Sequence, residues 1–202
     1  MAKTESTMVS LGTTAPAFEL VDVLSGRAMS RDDVFALTWD DEAGASCPAC
    51  HGLLVMFICA HCPYVKHMEA ELARIGVDYA RKIAIAAIQS NDIDQYPDDG
   101  PEGMREQARR LGFRFPYLLD ETQEVARSYD AACTPDFVLF DSEMRLVYRG
   151  QLDSSRPRRG DSGNDIPVTG KDLRAAMDAV IAGRVPDSNQ RTSIGCNIKW
   201  KS

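Results

Sequence analysis

The chain has 202 residues, 44% of them apolar and 26% charged, with 23 basic against 30 acidic side chains and a formal charge of −7. That length suits one domain with ample material for a core, and no apolar run reaches the ~18–20 residues of a membrane-spanning helix. The acidic balance argues against nucleic-acid binding, which neutralises phosphates with Lys and Arg. The opening MAKTESTMVSLG lacks the ~7–15-residue apolar stretch of a secretory signal, so a cytoplasmic location is expected.

Along the chain, residues 1–11 read as an N-terminal tail and 12–202 as one α/β domain with its C-terminal tail. Phe18 to Val23, Ser25-Gly26 and Ala28-Met29 predict a small hairpin. Leu53 to Ile58 is an unbroken apolar run, as in a strand buried on both faces. Pro63 then opens a helix, because Pro suits a first turn and Val65, Met68, Leu72, Ile75 and Tyr79 recur at helical spacing. Ile83 to Ile88 is a second buried strand, which completes a βαβ unit. After the acidic loop Asp92 to Pro101, Met104, Ala108 and Leu111 mark a helix and Phe115 to Leu119 a strand. Asp120 with Gln123 reads as a capping pair for a helix ending near Asp130. Phe137–Phe140 and Arg145–Tyr148 predict a hairpin. Segment 151–169 is polar and reads as a solvated loop, whose Arg156, Arg158 and Arg159 could attract an anionic substrate. Leu173, Met177, Val180 and Ile181 give a last amphipathic helix.

Six cysteines in a chain expected in the reducing cytosol suggest catalysis or metal binding rather than structural staples. Two pairs have CxxC spacing, Cys47-Pro-Ala-Cys50 and Cys59-Ala-His-Cys62, while Cys133 and Cys196 stand alone. Four sulfurs at 47, 50, 59 and 62, with His51 and His61 as spare ligands, invite a tetrahedral zinc site. The intervening strand, at ~3.3 Å per residue, would hold the two pairs roughly 20 Å apart, so no metal is expected. Cys62 falls where a buried strand meets a helix N-terminus, whose unpartnered amides and partial positive charge favour an anion. Such positions bring a thiol pKa from about 8.5 to ~3.5–7.5, so Cys62 is expected to be a thiolate, with His61 and Lys66 as possible helpers. Cys59 is close enough in sequence to form a disulfide with it and release a mixed-disulfide intermediate. Two buried cysteines used as small apolar residues would be the alternative. Thr134-Pro135 ahead of the predicted hairpin marks a turn or a cis bond, with a backbone edge for an extended substrate. Cys133 beside it is either an auxiliary resolving thiol or a packed cysteine. His67 is expected to be exposed, and the position of Cys196 is open.

This arrangement resembles the thioredoxin fold, and within it the redoxin branch of alkyl hydroperoxide reductase/thiol-specific antioxidant proteins and thioredoxin-like oxidoreductases. The residues carrying the resemblance are Ala15-Pro-Ala-Phe18, Phe57-Ile-Cys-Ala-His-Cys-Pro-Tyr-Val-Lys66 and Ser90-Asn-Asp92 with Tyr96-Pro-Asp-Asp99. Cys133-Thr-Pro-Asp-Phe137, Tyr148-Arg-Gly-Gln151 and the closing Ser193-Ile-Gly-Cys-Asn-Ile-Lys-Trp200 extend it. It implies a central mixed sheet flanked by helices, here with an N-terminal hairpin and an αβ insert. It also implies a nucleophile at Cys62, a cis Pro135, and Thr134 and Pro135 as a substrate-binding loop. The chain departs from the pattern at Val65, where a thioredoxin keeps its second cysteine. It departs again at Cys59 and Val55, where peroxiredoxins carry a hydroxyl residue and a proline. The expected activity is therefore thiol–disulfide exchange, with Cys62 attacking and Cys59 resolving. A Cys62 peroxidase and a non-catalytic metal- or partner-binding domain are the alternatives. No cofactor is expected beyond an external dithiol reductant, and the expected partners are protein or small-molecule disulfides, or peroxides.

Overall fold

The computed structural model describes residues 3–37, 50–158 and 163–201. In chain order the elements are β1 (Lys3–Glu5), β2 (Glu19–Asp22), β3 (Ala28–Ser30), α1 (Arg31–Ala36), β4 (Gly52–Phe57), α2 (Pro63–Asp78) and β5 (Ala84–Gln89). A 3₁₀ turn at Pro97–Asp99 leads into α3 (Pro101–Leu111), followed by β6 (Tyr117–Leu119), α4 (Glu124–Ser128) and β7 (Cys133–Thr134). The chain then runs through β8 (Asp136–Asp141), β9 (Leu146–Gly150), α5 (Lys171–Ile181) and β10 (Ile194–Asn197).

Seven strands form one mixed sheet in the order β3-β2-β6-β5-β4-β8-β9. The pairs β4/β5 and β5/β6 are parallel, and the others are antiparallel. Every residue of β4 and β5 is buried, because successive side chains alternate between two covered faces. Leu54 and Met56 pack with Val65, Met68, Leu72 and Ile75 of α2 and Leu173 and Met177 of α5 on one face. Leu53, Val55 and Phe57 pack with Phe18, Val34 and Tyr129 on the other. The expected N-terminal hairpin is β2–β3, and the insert adds α3 and β6 beside β5.

A second sheet, β1-β10-β7, joins β1 and β10, from segments read as tails, to the short β7 ahead of β8. Lys3 pairs with Cys196, and Cys196 with Thr134. The first and last described strands thus meet at the loop that precedes β8.

Several local expectations are corrected. Asp120 does cap α4, since its carboxylate accepts from the Val125 and Ala126 amides at 3.3 and 2.8 Å and from Ser90 Oγ at 2.9 Å. Gln123 is not its capping partner; its side chain donates instead to the carbonyls of Ser90 and Lys199, both at 2.7 Å. The described parts of segment 151–169 are organised around Asp153, whose carboxylate accepts from the Ser155, Thr169 and Gly170 amides. Arg156 donates to the Asp153 and Ser155 carbonyls and Arg158 pairs with Asp165, so both have partners within the loop. Arg159 lies outside the described residues. His67 is half-buried and bonded to Ser155 Oγ at 2.7 Å rather than exposed.

Candidate active site

Cys62 is the N-cap of α2, with Pro63 after it and no acidic side chain in the first turn. The helix runs away from the end of β4, so this residue sits where the predicted strand–helix junction places it. Its sulfur is fully buried. The Cys196 and Cys59 thiols donate to it, as do the Val65 and Cys196 backbone amides. Together these hold Cys62 well below the usual thiol range against the opposing cost of burial. The Thr134 carbonyl, 3.2 Å away, accepts from the protonated thiol and so favours the neutral form. Four donors outweigh that one acceptor.

Cys59 behaves oppositely. Burial, and the thiol proton it gives toward Cys62, push its own pKa well up. Its sulfur lies 3.4 Å from Thr134 Oγ1 and 4.0 Å from His61 Nδ1. One anionic and one protonated sulfur therefore share the turn.

His61, between the two cysteines, is bound to a buried carboxylate. Asp99, fully buried, accepts from the His61 backbone amide at 3.0 Å and contacts its Nδ1 at 2.5 Å. This bond raises the His61 pKa despite partial burial. Asn91 Nδ2 donates to the same carboxylate at 2.7 Å, and Gln89 Nε2 donates to the Asp99 carbonyl at 3.0 Å. The His61 ring stacks on Tyr96 with centroids 5.4 Å apart. Cys59 Sγ, His61 Nδ1 and an Asp99 oxygen lie within 4.8 Å of one another.

The Thr134–Pro135 peptide is cis, and Thr134 touches both sulfurs, through its carbonyl to Cys62 and its hydroxyl to Cys59. Cys133, one residue earlier, directs its thiol to the Pro135 carbonyl at 3.6 Å, and burial raises its pKa. Cys59, Cys62, Thr134 and Pro135 are thus brought together, whereas Cys133 is turned to its own loop.

Cys196 was not assigned from sequence, and it joins them. The signal available was the tail motif Ser193 to Trp200, which has no apolar periodicity to explain it. Gly195 permits the approach, because a Cβ there would lie 2.0 Å from the Thr134 carbonyl oxygen. Ser193 Oγ donates to the Pro135 carbonyl at 2.7 Å. Beyond β10 the tail is fastened by the Lys199 amide to Asn91 Oδ1 and by the Asp92 amide to the Lys199 carbonyl, both at 2.8 Å.

Of the first CxxC, Cys47 lies outside the described residues. Cys50 is buried in the core on the opposite face of the sheet from Cys59 and Cys62. None of the five described cysteines is in a disulfide. Beside Ala60 and His61 opens a cleft of about 570 Å³ lined by Lys66, Asp98, Glu102, Glu106 and Arg110.

Comparison with known proteins bears on this arrangement. The family model described as AhpC/TSA family matches residues 11–149. The chain belongs to that family. Its chemistry is accordingly that of a redoxin, oxidation and reduction at thiols. An uncharacterized conserved protein from Geobacillus kaustophilus is 48% identical, with a TM-score of 0.87 over 100% of this chain and 97% of its own. A hypothetical protein from Sinorhizobium meliloti 1021 is 41% identical, with a TM-score of 0.87 over 98% of this chain and 99% of its own. A putative thiol:disulfide interchange protein DsbE from Chlorobium tepidum shares the fold, at 13% identity and a TM-score of 0.60 over 86% of this chain and 99% of its own. No curated protein matches. Among the described residues no helix is long and apolar enough to cross a membrane.

Proposed function

We propose that this redoxin is a thiol–disulfide oxidoreductase acting through Cys62 and Cys59. The observation that carries this reading is the pair itself: two buried sulfurs three residues apart at a helix N-terminus, both touched by Thr134. The Cys62 thiolate attacks a substrate disulfide, forms a mixed disulfide and releases one substrate thiolate. The Cys59 sulfur then attacks Cys62 Sγ. A Cys59–Cys62 disulfide forms, the second substrate thiolate leaves, and the proton from Cys59 passes to it or to solvent. An external dithiol reductant restores both thiols, and no cofactor takes part. Protein or small-molecule disulfides are the substrates, entering by the cleft beside Ala60 and His61. A cytoplasmic location supplies the reducing setting that keeps the pair reduced between turnovers.

With Cys62 held low, its alkylation by iodoacetamide should be nearly flat from pH 6 to 9, where an ordinary cysteine speeds up about tenfold per pH unit below its pKa of about 8.5. Cys62→Ser should abolish reduction of an artificial disulfide. Wild-type rates in that variant would sink the assignment.

A Cys62 peroxidase is the second reading, favoured by the full burial of the Cys62 sulfur, which a small oxidant reaches more readily than a bulky disulfide. Against it, the donors to this sulfur are thiols and amides, and Cys59 and Val55 stand where peroxiredoxins carry a hydroxyl residue and a proline. Stopped-flow oxidation by hydrogen peroxide separates the two readings, and a rate no faster than that of free cysteine removes this one.

A further inference from the structure

Cys196 is the third thiol of the cluster around Cys62. It lies on β10, paired opposite Thr134, the residue whose carbonyl is 3.2 Å from Cys62 Sγ and whose hydroxyl is 3.4 Å from Cys59 Sγ. It is 1% exposed and packs in one core cluster with Cys59, Cys62 and Val65. Its thiol and its backbone amide both favour the anionic form of Cys62. Its position is fixed on either side. Gly195 allows the backbone to lie against Thr134 without a Cβ collision, and Ser193 Oγ holds the Pro135 carbonyl. Cys59 and Cys196 reach Cys62 from separate elements, the end of β4 and the strand β10, so each has its own line of approach.

We propose that Cys196 is a second resolving thiol, competing with Cys59 for the mixed disulfide on Cys62. The inference rests on Cys62 being the nucleophile. When Cys62 carries a substrate thiol, the Cys196 sulfur attacks Cys62 Sγ and a Cys62–Cys196 bond forms. The bond from Cys62 to the substrate sulfur breaks, and the substrate leaves as a thiolate that takes up the Cys196 proton or loses it to solvent. The same attack on a Cys59–Cys62 disulfide moves the bond to Cys196 and returns Cys59 as a thiol. No further oxidant is needed, because the two electrons were already taken by the substrate disulfide. The external dithiol reductant then restores the three thiols. Oxidation through Cys196 joins α2 covalently to the strand that pairs with both β1 and β7, so the redox state of the site becomes a mechanical constraint on the second sheet.

The test uses the full chain and 5,5′-dithiobis(2-nitrobenzoate), with acid quenching, alkylation and peptide mapping so that the fate of Cys62 is read apart from the other thiols. Wild-type protein at limiting reagent should yield both Cys59–Cys62 and Cys62–Cys196 linked peptides. The Cys59→Ser variant should release two equivalents of thionitrobenzoate through Cys62 and accumulate the Cys62–Cys196 peptide. Cys59→Ser/Cys196→Ser should release one and keep the mixed disulfide. The proposal is overturned if Cys59→Ser keeps the mixed disulfide as long as the double variant and wild type yields no Cys62–Cys196 peptide. The wild-type measurement holds whether or not either variant folds. If Cys62 takes up no reagent even in wild type, the nucleophile assignment itself falls, an outcome distinct from failure of resolution by Cys196.

Discussion

The protonation of His61 is set by one carboxylate. Asp99 raises the His61 pKa through the Nδ1 contact, so the imidazolium–carboxylate bond adds stability that is fully present below the ordinary His value of about 6.5. That contribution fades as pH rises through the higher folded value. Asp99→Asn should lower the His61 pKa, measured by NMR titration, and should flatten this part of the stability–pH curve. At this scale the sequence already indicated Cys62, Cys59, Thr134 and Pro135, because a helix start, a CxxC and a strand-initiating proline each have a local chemical signature. Asp99 and Cys196 lay only inside motifs that carried the resemblance, with no local chemistry to mark a role. A buried carboxylate inside an acidic loop looks like its exposed neighbours, and a cysteine in a polar tail becomes meaningful only when the strand it forms is paired.

Elements with their own hydrophobic period were legible for the same reason. β4, α2 and β5 follow from apolar runs and helical spacing that hold regardless of the rest of the molecule. By contrast, β1 and β10 are short and polar on one side, and they are strands because each supplies the other's hydrogen bonds. α1 carried a readable sign in its capping box of Ser30 with Asp33, but its six residues bury only Val34, too little to register as a period. The close approach of β10 to β7 makes a definite prediction. Gly195→Ala places a methyl group against the Thr134 carbonyl oxygen, and overpacking of this kind costs about 1–3 kcal/mol. Urea denaturation should read that loss. If β10 yields instead, the Cys62 thiolate loses its Cys196 donors, and its pKa, followed by alkylation against pH, should rise toward the ordinary thiol value.

For the molecule as a whole, the site lies where two sheets meet, and buried polar contacts hold that junction. Arg149 on β9 donates to the Tyr129 and Asp130 carbonyls and to Asp136 Oδ2, at 2.7, 2.8 and 2.8 Å, and so fixes both ends of the segment bearing Thr134. Burial raises the Asp136 pKa to about 6 even with this partner present. Arg149→Met should destabilise the fold by about 3–5 kcal/mol at pH 8, the usual consequence of leaving one member of a buried pair charged. The loss should shrink as pH falls through the Asp136 titration, because a protonated carboxyl has no charge to strand. Equal losses at pH 5 and pH 8 would contradict this account.

The tail that carries Cys196 ends in an intrinsic chromophore. Trp200 lies under the Arg127 guanidinium, 4.4 Å from ring centre to the guanidinium carbon, and is 36% exposed. Its emission should therefore respond to any shift of the tail across α4, with the stacked cation and solvent access as the two sources of contrast. The chain has one other tryptophan, Trp39, so a Trp39→Phe background leaves a single-site fluorophore. In that background, emission recorded during a redox titration with lipoic acid would follow the C-terminal strand in real time, without a label and without quenching the reaction.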